Sequence, residues 1–206
     1  MSALTARAIV KPRRYTYSDY EKWPEYPRYE LINGRAILLS SPSQYHQGML
    51  IELGTQFRTY LRGKKCKVFL APFDVRLNYN TADNTVLQPD LLVVRDMDKL
   101  NGKHCLGAPD MVAEILSPST ARKDNLVKSK LYRDAGVKEF WIIDPVHRLV
   151  VVHLLENGGY VASYYGIEEV IPVNVLEDCK IRMADVFEEA PPDASPPDGE
   201  HAGLDE

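Results

Sequence analysis

The chain has 206 residues, 45% of them hydrophobic and 26% charged, with a formal net charge of −4, a composition that predicts a soluble globular protein with one substantial core. No apolar run approaches the roughly 20 residues of a membrane span, and the opening MSALTARAIVKPRRY lacks the apolar stretch of a secretory signal, so a cytoplasmic location without a membrane partner is expected. Cys66, Cys105 and Cys179 are odd in number, widely spaced and without a CxxC pair, which argues against both a disulfide framework and a zinc knuckle.

Residues 1–14 form a basic leader, and Thr16 to Glu25 open with Thr and Ser capping signals that predict a short helix before WPEYP breaks it. YELINGRAILLS carries two apolar segments around Asn33-Gly34, a hairpin signal. From Ser43 to Leu61, residues Met49, Leu50, Leu53, Phe57, Tyr60 and Leu61 recur at helical spacing behind Ser41-Pro42-Ser43, with His46 in the first turn. KCKVFLAP and FDVRLNY predict two strands or one bent strand, and NTADN turns the chain into VLQPDLLVV, another strand.

Arg95 to Ala108 reads as a polar connection, PDMVAEILS as a strand, and Ser119 to Ala135 as a second helix closed by Gly136. VKEFWIIDP is a further apolar strand. RLVVVHLLE, Gly158-Gly159 and YVASYYG predict an added hairpin, followed by the short VIPVNVL segment and a helical turn near Met183 to Phe187. This order predicts an α/β protein with a mixed β-sheet covered on at least one face, as a single domain over residues 15–188. Residues 189–206, Pro-rich, acidic and poor in large apolar groups, are expected to be a disordered tail.

All 25 Lys and Arg precede Met183, and the seven acids from Glu188 onward belong to the tail region. With these set aside, the 29 acidic residues fall to 22, leaving the body at +3. So small an excess permits a nucleic-acid partner without requiring one.

The stretch most informative about chemistry runs from Val86 to Tyr132, where two apolar strands each carry one acid, Asp90 and Glu114. A carboxylate in such a run is costly to desolvate unless it is paired, hydrogen-bonded or neutralised by a cation. Mg²⁺ suits the pattern, because it takes one or two protein carboxylates and keeps several waters.

PD in QPDLLVV, the acid in AEILSPST and the following KLYRDAGVKEFWIIDP resemble the Uma-two family of restriction-endonuclease-like proteins, within the PD-(D/E)XK nuclease superfamily. The resemblance covers about Tyr15 to Phe187 and includes YELINGR, SPSQYHQ and APFDVRL. It implies a restriction-endonuclease-like mixed sheet flanked by helices and a metal-dependent site for phosphodiester hydrolysis, in which Asp90 and Glu114 hold Mg²⁺ or Mn²⁺. DNA as the substrate and a homodimer as the assembly are implied on the same grounds.

The superfamily pattern places a lysine two residues after the second acid, where this chain has Leu116. At 100° per residue, Lys128 borders the apolar stripe of the second helix near Asp124, Leu131, Tyr132 and Ala135, whereas Lys123 and Lys130 point away. Lys128 is therefore the candidate for a relocated catalytic lysine, the other reading being a snorkelling side chain or a pair with Asp124. Glu30 resembles the family's early acid, against an exposed strand residue beside Arg35. His46 is a candidate acid, base or phosphate donor, against a structural hydrogen-bonder. Asp74 in FDVRL resembles the acid preceding the PD strand, against a salt bridge with Arg76. Pro109-Asp110 is a second PD, and Asp144 reads as a turn cap. A nuclease-like fold kept only for nucleic-acid or protein binding is the alternative function.

Overall fold

The computed structural model describes residues 13–117 and 121–189, the side chains of residues 121–125 excepted. Most of the expected leader and of the expected acidic tail lies outside the described residues, as does Ser119 at the start of the second helix.

After the short helix α1 (Tyr17–Tyr20) come β1 (Tyr29–Ile32), β2 (Arg35–Leu38), the long helix α2 (Gln44–Leu61) and β3 (Lys67–Leu70). Then follow β4 (Val75–Arg76), β5 (Val86–Leu87), β6 (Leu91–Val94), β7 (Cys105–Leu106) and β8 (Met111–Ile115). Helix α3 (Ala121–Ala135), β9 (Glu139–Asp144), β10 (Leu149–Glu156), β11 (Gly159–Tyr165), β12 (Val170–Pro172), β13 (Lys180–Arg182) and α4 (Met183–Glu188) complete the described residues. The mixed α/β architecture is the one expected, but it is built on two main sheets. Six strands run in the order β11-β10-β9-β8-β6-β3, five in the order β2-β1-β5-β4-β7, and β12 pairs with β13.

Both faces of the six-stranded sheet are covered at its centre, which is why β6 and β8 are buried at every position and read as unbroken apolar runs. On one face Leu91, Val93, Ala113 and Trp141 pack against Met49, Leu53 and Phe57 of α2 and against Val186 and Phe187 of α4. On the other, Leu92, Val94, Val112 and Phe140 meet Tyr132 of α3 and Val75, Leu87 and Cys105 of the five-stranded sheet. Glu114 shares the parity of Val112 and so projects to this second face.

VLQPDLLVV is not one strand. Val86 and Leu87 pair with β1 and β4 in the five-stranded sheet, whereas Leu91 to Val94 pair with β3 and β8 in the six-stranded one. Pro89 has no backbone N–H to give to a ladder, and the chain changes sheets at Gln88-Pro89-Asp90. The polar connection between β6 and β8 likewise contains β7 and a 3-10 turn at Met97–Lys99. Asn33 (φ 48) and Gly34 (φ 77) supply the two positive dihedrals of the first hairpin. In the second hairpin Glu156 pairs with Gly159, so Asn157 (φ 50) and Gly158 (φ 82) form the turn, one residue earlier than Gly158-Gly159 suggested.

The second PD is structural. Asp110, buried ahead of β8, accepts from the Arg95 N–H at 2.9 Å and from Lys138 Nζ at 2.8 Å. Burial opposes its ionisation, but the bonds from Lys138 and Arg95 prevail and hold its pKa below the ordinary carboxylate value. Asp110→Ala is expected to cost about 1–3 kcal/mol, since the Arg95 N–H loses its acceptor. In the wild type the contribution of this carboxylate is present above the unfolded pKa of about 3.9 and is lost as pH falls through the lower folded value. Urea melts at several acidic pH values check this, with Asp110→Ala expected to flatten the acid limb.

Candidate metal centre and acid–lysine cluster

The cavity lies at the junction of the two sheets. Its volume is about 830 Å³, and Glu30, His46, Gln88, Asp90, Glu114 and Lys128 are among the residues that line it. Leu91 pairs with Ala113 across the β6–β8 ladder, so Asp90 and Glu114, one step beyond, face each other on the same side.

Asp90 closes the open end of that ladder. Its Oδ2 accepts from the Ile115 N–H at 2.7 Å and lies 3.2 Å from His46 Nε2. His46 is held in place by the helix start, where Ser43 Oγ accepts from its backbone N–H at 3.2 Å. Among the described residues no hydrogen bond reaches Asp90 Oδ1, and His46 Nδ1 is buried without a hydrogen-bond partner.

Glu114 is 7% exposed and is gripped from one face of α3. Lys128 and Tyr132, four residues apart and therefore on the same side of the helix, both reach it. Lys128 Nζ lies 3.0 Å from Oε1 and 3.2 Å from Oε2, and the Tyr132 hydroxyl donates to Oε1 at 2.8 Å. The same ammonium is 3.0 Å from Glu30 Oε1 on β1. Glu30 is 1% exposed, and its Oε1 also accepts from the Gln88 N–H at 2.9 Å. One cation thus bridges two carboxylates carried by different sheets.

Burial pushes the Glu114 carboxyl up, to about 7, and the charges of Asp90 and Glu30 push the same way against the opposing pull of Lys128 and the Tyr132 bond. For Lys128 burial favours the neutral amine, but Glu114 and Glu30 outweigh it and the pKa rises. Burial and the neighbouring Glu114 raise the Tyr132 phenol, which remains a hydrogen-bond donor. Burial would lower His46, yet its bond to Asp90 and the nearby Glu114 leave it raised overall.

A hard, water-retaining ion fits this donor set. Two carboxylates face each other across one ladder, and Asp90 Oδ1 accepts no hydrogen bond from the described residues. No cluster of three or more His, Cys, Asp or Glu suited to an ion occurs among the described residues; Mg²⁺ bound through one or two carboxylates and waters needs none.

The family model "Uma2: Putative restriction endonuclease" matches residues 17–184. The chain belongs to the Uma2 family. An uncharacterized protein of Synechocystis sp. is 28% identical to it over 116 residues, 55% of this chain and 60% of that protein. The aligned part therefore spans less than two thirds of that relative's length. The Uma2 chain is also similar in fold to a crystal structure of "a putative nuclease belonging to DUF820" from Anabaena variabilis, with a TM-score of 0.69 at 20% identity, covering 85% of this chain and 98% of that one.

Of the residues the sequence singled out, the Uma2 chain brings Asp90, Glu114, Lys128, Glu30 and His46 to one cavity. Glu30 is not the exposed neighbour of Arg35: it is buried and pairs across the hairpin with Ile37. Asp74 stands one layer back, its Oδ1 accepting from the Tyr20 hydroxyl at 3.0 Å and Gln88 Nε2 at 2.9 Å. Its suggested partner Arg76 pairs instead with Asp83 at 2.7 Å. Leu116 lines the cavity at the motif-lysine position, and Lys130 is 67% exposed beside Asp134. Asp144 accepts from the Val146 and His147 N–H groups, a turn cap.

Tyr132 and Gln88 were missed as members of the site. Tyr132 looked like plain core, although its spacing of four from Lys128 was a signal. Gln88 ties Glu30 to Asp74 through its backbone N–H and side-chain amide, and its place two residues before Asp90 carried that hint.

Proposed function

We propose that this Uma2 chain is a metal-dependent DNA endonuclease of the PD-(D/E)XK type, with its lysine on α3 instead of β8. The observation that supports this best is the placement of the Lys128 ammonium 3.0 Å from both Glu114 and Glu30, in a cavity that Asp90 also lines. A site built only to bind phosphate gains nothing from three carboxylates when the single charge of Lys128 offsets only one of them and no further cation is held.

Asp90 and Glu114 would hold Mg²⁺ or Mn²⁺, which supplies Lewis-acid stabilisation of the charge that builds on the phosphate and eases ionisation of water near neutral pH. The chain's own groups position the reactants. Lys128 orients a water by hydrogen bonding and offers positive charge beside the phosphate. Glu30 and Tyr132 fix the lysine and Glu114 in place, so that little reorganisation is left for the reaction. His46 steadies Asp90 and is a candidate proton donor to the departing oxygen. Asp74 acts through Gln88 as a positioning residue for Glu30.

A homodimer belongs to this reading on family grounds, as does a cytoplasmic location where DNA is met. No helix among the described residues is long and apolar enough to cross a membrane. The second reading, a nuclease-like fold kept for binding, is favoured by one observation, Leu116 at the motif-lysine position.

Calorimetric titration with Mg²⁺ and Mn²⁺, followed by cleavage assays on DNA with and without EDTA, tests the proposal. Saturable ion binding and EDTA-sensitive cleavage are expected. Ion binding without cleavage would leave the binding-only reading in possession.

A further inference from the structure

The mouth of the cavity carries information about which form of nucleic acid enters it. Arg14, Arg28 and Arg35 line it alongside the acids, and among the described residues none of the three is paired with a carboxylate. Arg14 Nη1 donates to the Asn33 carbonyl at 2.5 Å, which fixes its position beside the first hairpin. Three arginines without acidic partners beside an acidic floor provide charge for phosphates next to the cleavage centre.

The walls between these cations are apolar. Ile37 and Leu38 on β2, the latter 60% exposed, and Val127 on α3 all line the same cavity. A duplex turns a charged sugar-phosphate surface toward a protein and keeps its base faces stacked inside, so exposed leucine and isoleucine gain little from it unless the bases are first unstacked. Unpaired nucleotides present both phosphates and free apolar base faces. The cavity volume, about 830 Å³, falls within the roughly 300–1,000 Å³ of sites that enclose small ligands, a scale suited to a few nucleotides of one strand.

We infer that this site, read as a nuclease site, takes single-stranded or frayed DNA, with Arg28 and Arg35 holding phosphates and Ile37, Leu38 and Val127 packing against unpaired bases. The inference rests on the nuclease reading only for the cleavage step. Strand selection itself follows from the cations and apolar walls.

The full chain is given Mg²⁺ or Mn²⁺ and three labelled DNAs of one sequence: a single strand, a blunt duplex, and a duplex with one unpaired fork. Binding of the same DNAs is measured by fluorescence anisotropy in Ca²⁺. The single strand should be cut faster than the duplex by about tenfold or more, the scale of burying one aliphatic side chain, and the forked duplex only in its unpaired arms. Cleavage inside the blunt duplex at the single-strand rate would overturn the inference while leaving the nuclease reading intact. If no DNA is cut, the nuclease reading fails and the Ca²⁺ binding decides: tighter binding of the single strand by about tenfold supports the inference, and equal binding overturns it.

Two variants locate the effect. Arg28→Gln with Arg35→Gln should reduce the salt dependence of single-strand binding by a slope of about 0.7 for each phosphate that is no longer neutralised. Leu38→Glu should weaken single-strand binding with little change in melting temperature, because the side chain is largely exposed. Wild-type binding by both variants would overturn the assignment of these walls.

Discussion

Lys128→Met is expected to lower metal-dependent cleavage by about 10²- to 10⁴-fold, the usual effect of losing a positioned acid-base group, while ion affinity changes far less. Lys130→Met, at a 67% exposed side chain beside Asp134, should leave cleavage at the wild-type rate. The pair of variants separates a positioned ammonium from the general benefit of positive charge on α3. Lys128→Met also leaves Glu30 and Glu114 buried without their shared cation, a change that costs about 3–5 kcal/mol where one partner of a buried pair is removed. The apo variant should therefore melt well below the wild type, and saturating ion should recover part of the difference. If Lys128→Met and Lys130→Met cleave alike, the relocated-lysine reading is lost.

Asp90→Asn is the second decisive change. The amide oxygen of Asn can still accept from the Ile115 N–H that Asp90 Oδ2 accepts at 2.7 Å, so the end of the β6–β8 ladder keeps its closure. What disappears is one of two carboxylate ligands and several kcal/mol of charge stabilisation with it. Cleavage should fall below detection, and the calorimetric signal for Mg²⁺ should vanish or weaken sharply. The change relieves the repulsion between Asp90 and the neighbouring Glu114 and Glu30 but also gives up the charge that faces His46 Nε2 at 3.2 Å, so the apo variant should melt close to the wild-type temperature. Full cleavage by Asp90→Asn would exclude this carboxylate from the chemistry.

Much of the framework was readable because its signals are local. Helix α2 announces itself through Ser43 and apolar spacing, and the first hairpin through Asn33-Gly34. The acids at Asp90 and Glu114 stand out because their neighbours are apolar, and helical periodicity separates Lys128 from Lys130. The rest depends on tertiary placement. That Val86-Leu87 and Leu91–Val94 serve different sheets follows from which strands each meets, and Pro89 alone says only that the ladder is interrupted. For Glu30 an exposed strand position stayed open beside the site reading, because a four-residue strand does not reveal that a distant helix will cover it. Asp74 looked equivalent to the other acids because sequence position does not distinguish a carboxylate at the cavity from one held a layer behind it by Tyr20 and Gln88.

Glu30 belongs to one sheet and Glu114 to the other, and the Lys128 ammonium joins them. The lysine is therefore a fastener of the architecture and, on the proposed nuclease reading, a reagent as well, so that natural selection would act on it twice. A descendant that gave up cleavage would still be penalised for discarding Lys128, because two buried acids would be left facing each other across the seam. Loss of activity in such a lineage should begin instead at positions whose removal the fold tolerates, such as Asp90→Asn, which keeps an acceptor for the Ile115 N–H. On the proposed nuclease reading, an intact acid–lysine cluster in a relative is thus evidence of a sound fold, and the carboxylate at position 90 is the better marker of a working enzyme.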